Sequence, residues 1–238
     1  MTTFVLVHGT GHGGWCWGEV AGLLSASGAE VYAPTLSGVG DRFDPASRDA
    51  DLTTHTADII DLLLGEDLRD VTLVGHSYGG TVITAVAAVA PERLRMLVYL
   101  DAYVPDAGQS QLDLWPAEMR AEIQVGALAD RGFRSPPTPE VLGITDPALA
   151  SWVRTRITPH PLAAYREPVP EGDARSAALP RAYIRCSQGP MTSLLEPFAE
   201  KARSRGWAYQ EIASGHDAML IAPREVAQAL LELVDQVA

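Results

Sequence analysis

Lysine is almost absent from this chain: Lys201 is the single one, in the polar, helix-like stretch AEKARS, so Schiff-base chemistry has one poorly placed candidate. Cysteine is nearly as scarce. Cys16 and Cys186 make no CxxC pair and no metal-ligand spacing, so neither a disulfide framework nor a metal site is expected, and either suits a core position. No apolar run approaches the roughly 18 residues that cross a bilayer. No basic segment with a small-residue cleavage site precedes the apolar run Phe4-Val5-Leu6-Val7, which predicts a cytoplasmic protein without an export signal or a membrane partner. Basic side chains number 18 against 30 acidic ones, a formal net charge of −12 that argues against a nucleic-acid partner, whose phosphates call for Lys and Arg. Internal repeats and low-complexity segments are missing as well.

What is present is an ordinary globular composition, 47% hydrophobic and 20% charged over 238 residues, which fits one α/β domain with an insertion. Short apolar runs alternate with helix-like ones. TFVLVHG, AEVYAP, VTLVG, the run Leu94 to Leu100, Ala182 to Cys186, and Trp207 to Ile212 read as strands, the first two as fully buried ones. EVAGLLSAS, Thr53 to Leu64, VITAVAAVA, Leu194 to Ser204 and Arg224 to Val237 read as helices. The alternation predicts a mostly parallel central sheet with helices on both faces. Between residues 105 and 177 prolines multiply, Trp115 and Trp152 appear and strand-like runs vanish. The expected organisation is therefore a core of residues 1–104 and 178–238 with a helical cap inserted at 105–177.

The most informative stretch is VTLVGHSYGGT. An apolar run ends in Gly75-His76-Ser77-Tyr78-Gly79 and a helix-forming run follows at once, which is the strand-turn-helix setting of a G-x-S-x-G nucleophile elbow. A serine on so sharp a turn adopts a strained backbone, and the flanking glycines admit the close approach this requires. Ser77 is the candidate nucleophile. It needs a base, and histidine has a suitable pKa. Of six histidines, His216 stands after the last strand and before the final helix, where the chain order Ser, acid, His puts the base. His8, His12 and His76 lie at strand ends or loops near Ser77, while His55 and His160 read as satisfied structural residues. Two amide donors should hold the developing oxyanion: that of Tyr78, which follows the nucleophile, and that of Thr10 in the glycine-rich loop after the first strand. That loop, GTGHGG, has no GK[ST] and no G-x-G-x-x-G fingerprint, so no nucleotide cofactor is expected.

The stretches FVLVHGTGHGGWCW, APTLSGVGDR, VTLVGHSYGG, LVYLDAYVP and SGHDAML together resemble the α/β-hydrolase superfamily, and within it the plant methylesterase and hydroxynitrile lyase family with its bacterial esterase relatives. The resemblance implies an α/β-hydrolase fold and a serine nucleophile, without specifying a substrate. Two departures favour ester hydrolysis over cyanohydrin cleavage: the lyases carry threonine after the first-strand histidine and lysine after the catalytic histidine, where this chain has Gly9 and Asp217. A third concerns the acid. The family pattern puts it about where Gly189 stands, so Asp101, at the end of LVYLD, becomes the leading candidate, with Glu196 second and Asp217 disfavoured because its place beside the base points it away.

The reading is a serine esterase without metal or cofactor, acting on a small or medium apolar or aromatic ester through an acyl-enzyme, with a homodimer as one assembly. Trp15, Tyr78, Tyr103, Trp115 and Trp152 are candidates to line its pocket, each equally suited to core packing. Two rivals stay open: a lyase, cyclase or decarboxylase on the same scaffold, and a small-molecule binding protein with little turnover.

Overall fold

Thr3–Val7 are buried without exception, and alternate residues among them serve different cores: Val5 and Val7 pack into one hydrophobic cluster, Phe4 and Leu6 into another. This is the period-two consequence of extended backbone in a sheet covered on both faces. The computed structural model, which describes residues 2–237, extends that pattern across a six-stranded sheet. Its strands are β1 (Thr3–Val7), β2 (Glu30–Tyr32), β3 (Val71–His76), β4 (Leu94–Leu100), β7 (Arg181–Cys186) and β8 (Ala208–Ile212), in the spatial order β2-β1-β3-β4-β7-β8. Every neighbouring pair is parallel.

On one face, Phe4, Leu6, Val74, Val98 and Ile184 pack with Val20 and Leu24 of α1 (Gly18–Ala26) and with Val226, Leu230 and Leu233 of α11 (Pro223–Val237). On the other, Val5, Leu73, Leu97 and Tyr183 meet α2 (Leu52–Gly65), α3 (Gly79–Val89) and α9 (Thr192–Ser204). The expected mostly parallel sheet with helices on both faces is the fold observed.

Several strand ends shift by one or two residues from those expected, and the edge strand β2 departs in burial as well. β2 is half-buried rather than fully buried, because it forms one edge of the sheet and has a neighbour on one side only. At the opposite edge β8 begins at Ala208, one residue later than expected, and is likewise largely half-buried.

Between β4 and β7 the chain runs through α4 (Gln111–Leu114), α5 (Ala117–Ala129), α6 (Pro147–Arg154), α7 (Ala163–Arg166) and α8 (Ala174–Ala178). It also makes a short antiparallel ladder, where no strand was expected, of β5 (Phe133–Arg134) against β6 (His160–Pro161). Leu112, Trp115, Ala127, Leu162 and Tyr165 from this segment join the same cluster as Val5 and Tyr78, so the segment shares the core of one sheet face.

The strand order reverses at β1, with β2 on one side and β3 on the other. In parallel α/β sheets such a reversal opens a crevice beyond the carboxyl ends of the strands. Both the glycine-rich loop after β1 and the elbow after β3 emerge there.

Candidate active site

Ser77 leaves β3 with φ +53, the left-handed conformation that a non-glycine residue adopts at a cost of about 1–3 kcal/mol. Its surroundings hold it there. Its amide donates to Leu100 O at 3.3 Å, and its carbonyl accepts from Gly80 N at 3.1 Å and Tyr103 N at 3.2 Å. The motif glycines are required by close backbone approach: a Cβ on Gly75 would lie 2.5 Å from Gly79 O, and one on Gly79 would lie 2.5 Å from Val7 O. This packing lets α3 start immediately after the nucleophile.

Asp101 follows the last residue of β4, also with positive φ, +41. It is buried, and both carboxylate oxygens are engaged: Oδ1 accepts from Cys186 N at 3.1 Å and Oδ2 from His216 Nδ1 at 2.6 Å. Because Nδ1–H donates to Asp101, a neutral His216 has a free lone pair on Nε2, the tautomer a general base requires. Ser77 and His216 line one cleft. Ser77 Oγ makes no hydrogen bond among the described residues; in unliganded hydrolases this contact is often long and tightens with substrate.

The other two carboxylates weighed for the acid are bonded to other partners. Glu196, on α9, binds Arg203 at 2.7 Å and also pairs with Arg185, and these guanidinium groups hold its carboxyl below the usual range. Gly189 has φ +88 and packs near Gly143 and Gly215, in a conformation that favours glycine.

Asp217 is buried and turned toward His12, whose Nε2 lies 2.9 Å from Oδ2. The other ring nitrogen of His12, Nδ1, lies 2.9 Å from the Thr10 carbonyl oxygen. A carbonyl and a carboxylate both only accept, so satisfying both contacts makes His12 an imidazolium. Burial by itself would lower its pKa, but the charge and hydrogen bond of Asp217, with the bond to Thr10, outweigh burial and raise it. The same attraction lowers Asp217 against its own burial penalty. Sequence reasoning considered both residues but missed the pair, which joins positions 205 residues apart.

This pair bears on the oxyanion loop. His12 fixes the Thr10 carbonyl, Tyr165 Oη lies 2.9 Å from Thr10 Oγ1, and Gly9 is pressed so close to the elbow that a Cβ there would meet Ser77 Cβ at 2.8 Å. Among the described residues the amides of Thr10 and Tyr78 donate to no acceptor, so both remain available.

The other histidines are buried. His8 Nδ1 donates to Gly9 O and Nε2 accepts from Leu36 N, and burial takes its pKa down to about 3. His55 donates from Nε2 to Ser37 O and accepts from Tyr78 Oη at Nδ1, as expected of a satisfied structural residue. His160 is only half satisfied: Nδ1 accepts from Gly11 N, and Nε2 has no partner among the described residues. His76 donates from Nε2 to the carbonyl of His216 at 3.0 Å, tying the elbow to the loop that bears His216. Burial lowers His55, His76 and His160 as well.

The cleft at Ser77 has a volume of about 80 Å³, well below the roughly 300–1,000 Å³ of drug-sized pockets. Beside Thr10, His12, His76, Ser77 and His216 it is lined by Tyr103, Met119, Arg134, Pro137, Val141, Leu142 and Met191. Of the aromatic residues expected to line it, only Tyr103 does. Trp15 stacks on His12 and meets Trp152 edge-on, each with centroids 5.2 Å apart. Trp152 carries Arg156 at 4.1 Å, and Trp115 is buried against Tyr165 with centroids 5.0 Å apart. The Tyr78 ring is fully buried beside His55. These large rings gain more by packing behind the cleft than by facing it. The lining they were expected to provide comes instead from Met, Leu, Val and Pro side chains without a local motif.

Residues 4–229 match the family model described as the alpha/beta hydrolase family. Over 98% of its length the chain is 37% identical to a carbendazim hydrolyzing esterase of Nocardioides sp. (strain SG-4G), all of which is covered. It is 35% identical to methylesterase 1 of Arabidopsis thaliana over 52% of this chain and 49% of that one. Among solved structures, an extracellular alpha/beta-hydrolase from a Paenibacillus species superposes with a TM-score of 0.85 at 25% identity, covering 98% of this chain and 99% of that one.

Proposed function

The chain belongs to the alpha/beta hydrolase family, and from that premise we propose a serine esterase in which Ser77, His216 and Asp101 transfer the acyl group to water. Carboxylic ester hydrolysis is the activity class, in keeping with the full-length esterase relative. One observation carries the assignment of roles: Ser77, on a left-handed elbow, shares a cleft with a histidine whose far nitrogen is bonded to a buried aspartate.

Ser77 Oγ attacks the ester carbonyl as its proton passes to His216 Nε2. Asp101 keeps the ring in the productive tautomer and stabilises the imidazolium that forms. The carbonyl oxygen, now negative, takes the amides of Thr10 and Tyr78; losing one such donor costs roughly 10²–10³ in rate. Collapse expels the alcohol, which receives the proton from His216. Water then attacks the acyl-enzyme by the same route, releasing the acid and restoring Ser77. The small cleft suits a short alkoxy or acyl group against Met119, Leu142 and Met191.

The lyase reading is disfavoured by the two departures already noted. A threonine at position 9 would bring its Cβ to 2.8 Å from Ser77 Cβ, and position 217 holds a carboxylate committed to His12 where the lyases hold a cation. The binding-protein reading rested on the missing acid at Gly189, and the bond from His216 to Asp101 removes that motive.

A fluorophosphonate probe should label the wild-type protein once, at Ser77 by peptide mapping, and p-nitrophenyl acetate should show a burst of p-nitrophenol. Equal labelling of Ser77→Ala would overturn the proposal.

A further inference from the structure

One side chain in the cleft has no part in acyl transfer: Arg134, at the end of β5. Its backbone is held by pairing with His160 across the β5–β6 ladder. Its guanidinium carbon lies 4.9 Å from the Trp115 ring centroid and 5.6 Å from that of Tyr165, and Tyr165 bonds Thr10 of the oxyanion loop. Two buried rings therefore hold this cation beside the loop that receives the oxyanion. Stacking occupies the flat face of a guanidinium; one in-plane N–H is drawn to the Tyr165 hydroxyl, and the others stay available.

No carboxylate answers it. Among the described residues Arg134 has no ion-pair partner, which it shares with several surface arginines; what sets it apart is its place in the cleft beside Ser77. The cleft lining contains no acidic side chain, in a chain with 30 of them. Arg134 is also its single Lys or Arg; the one other cation in the lining, His12, is turned to Asp217 and the Thr10 carbonyl, and the rest are apolar side chains, Tyr103, His76 and the proposed catalytic and oxyanion groups. A partly desolvated guanidinium in a cleft lined by no carboxylate is a site for an anion, and the geometry of its fork matches a carboxylate.

We propose that Arg134 determines specificity by binding a carboxylate carried by the substrate, so that the enzyme prefers esters whose acyl part ends in a carboxylate, such as half-esters of short dicarboxylic acids. The inference rests on the serine esterase reading. The methylene carbons between the two ends of such a substrate lie along Met119, Pro137, Val141, Leu142 and Met191, with the ester carbonyl at Ser77 and the carboxylate at Arg134. The product is a dicarboxylate, which the same two ends of the cleft hold until it leaves.

Monomethyl glutarate and dimethyl glutarate test this, because they differ in the charge of one end. A hydrogen bond to a charged group is worth about 10- to 100-fold in affinity. Arg134→Gln should therefore lower kcat/KM for monomethyl glutarate by about 30-fold, chiefly through KM, while dimethyl glutarate changes less than about threefold. In the wild type, glutarate should inhibit dimethyl glutarate hydrolysis competitively, a measurement that needs no variant to fold. Equal losses on both esters in Arg134→Gln would make Arg134 a packing residue and overturn the proposal, as would absence of inhibition by glutarate. Turnover of either ester that survives Ser77→Ala would overturn the esterase reading, and this inference with it.

Discussion

His216 and His12 each hold an aspartate at one end of the imidazole, Asp101 at 2.6 Å and Asp217 at 2.9 Å, and both rings line the cleft at Ser77. Their second nitrogens differ. Nε2 of His216 has no partner among the described residues, whereas Nδ1 of His12 lies against the Thr10 carbonyl. A histidine with one nitrogen bonded and one free can exchange a proton with substrate. One with an acceptor at each nitrogen is locked as a cation and serves to hold backbone in place. In the proposed mechanism it is this free nitrogen that makes His216, rather than His12, the base.

The largest effect that separates the two pairs should come from Asp101→Asn. The equivalent change in a serine protease lowers turnover about 10⁴-fold by favouring the wrong tautomer. Here kcat for an activated ester should fall by at least about 100-fold with KM little changed. A kcat within tenfold of wild type would remove Asp101 from the triad.

Asp217→Asn should act on stability first. Without its counter-charge the buried His12 gives up its proton, and losing the charge-assisted bond costs about 1.5–3 kcal/mol, read as a lower urea midpoint. The activity loss should be smaller than that of Asp101→Asn, about tenfold in kcat, through a less firmly held Thr10 amide. If Asp217→Asn costs as much in kcat as Asp101→Asn while staying folded, the distinction between the pairs fails.

Acid should weaken the fold through the neutral histidines. His8, His55, His76 and His160 are all held below the usual value, mainly by burial, His8 at about 3. Below about pH 6.5 the unfolded chain takes up protons that the folded one refuses, so each such histidine removes about 1.4 kcal/mol per pH unit. His12 has the opposite sign. Its raised pKa gives stability that is complete below about pH 6.5 and is lost as pH rises through the folded value. Urea unfolding between pH 5 and 8 should show midpoints falling toward acid. A flat or rising midpoint would mean that these four rings are protonated in the folded state.

The smallest effect belongs to Glu196→Gln, since that carboxylate is tied to Arg185 and Arg203 rather than to a histidine. Activity within about twofold of wild type is expected, in line with the small worth of exposed ion pairs. A 100-fold loss would instead make Glu196 the acid.

The strands, the elbow and the identity of Ser77 were legible in the sequence because each depends on a few consecutive residues: apolar runs that must be buried, and glycines at 75 and 79 where backbone approaches to 2.5 Å of a Cβ. His216 was singled out by chain order and Asp101 by its position at the end of a strand, and the fold brings the two within 2.6 Å. The binding end of the cleft was not. Trp15, Trp115 and Trp152 looked like pocket walls, yet Trp115 is buried against Tyr165, and Trp15 and Trp152 pack on each other outside the cleft, half-buried. Arg134 lies in a segment without periodicity, and its neighbours Trp115 and Tyr165 reach it from separate helical turns. His12 and Asp217 meet across 205 residues of chain. Chemistry set by a turn and its flanks is thus written locally in this protein. Which histidine nitrogen is left free, and that Arg134 reaches the cleft at all, was decided by tertiary packing, because those properties depend on side chains that only the folded chain brings together.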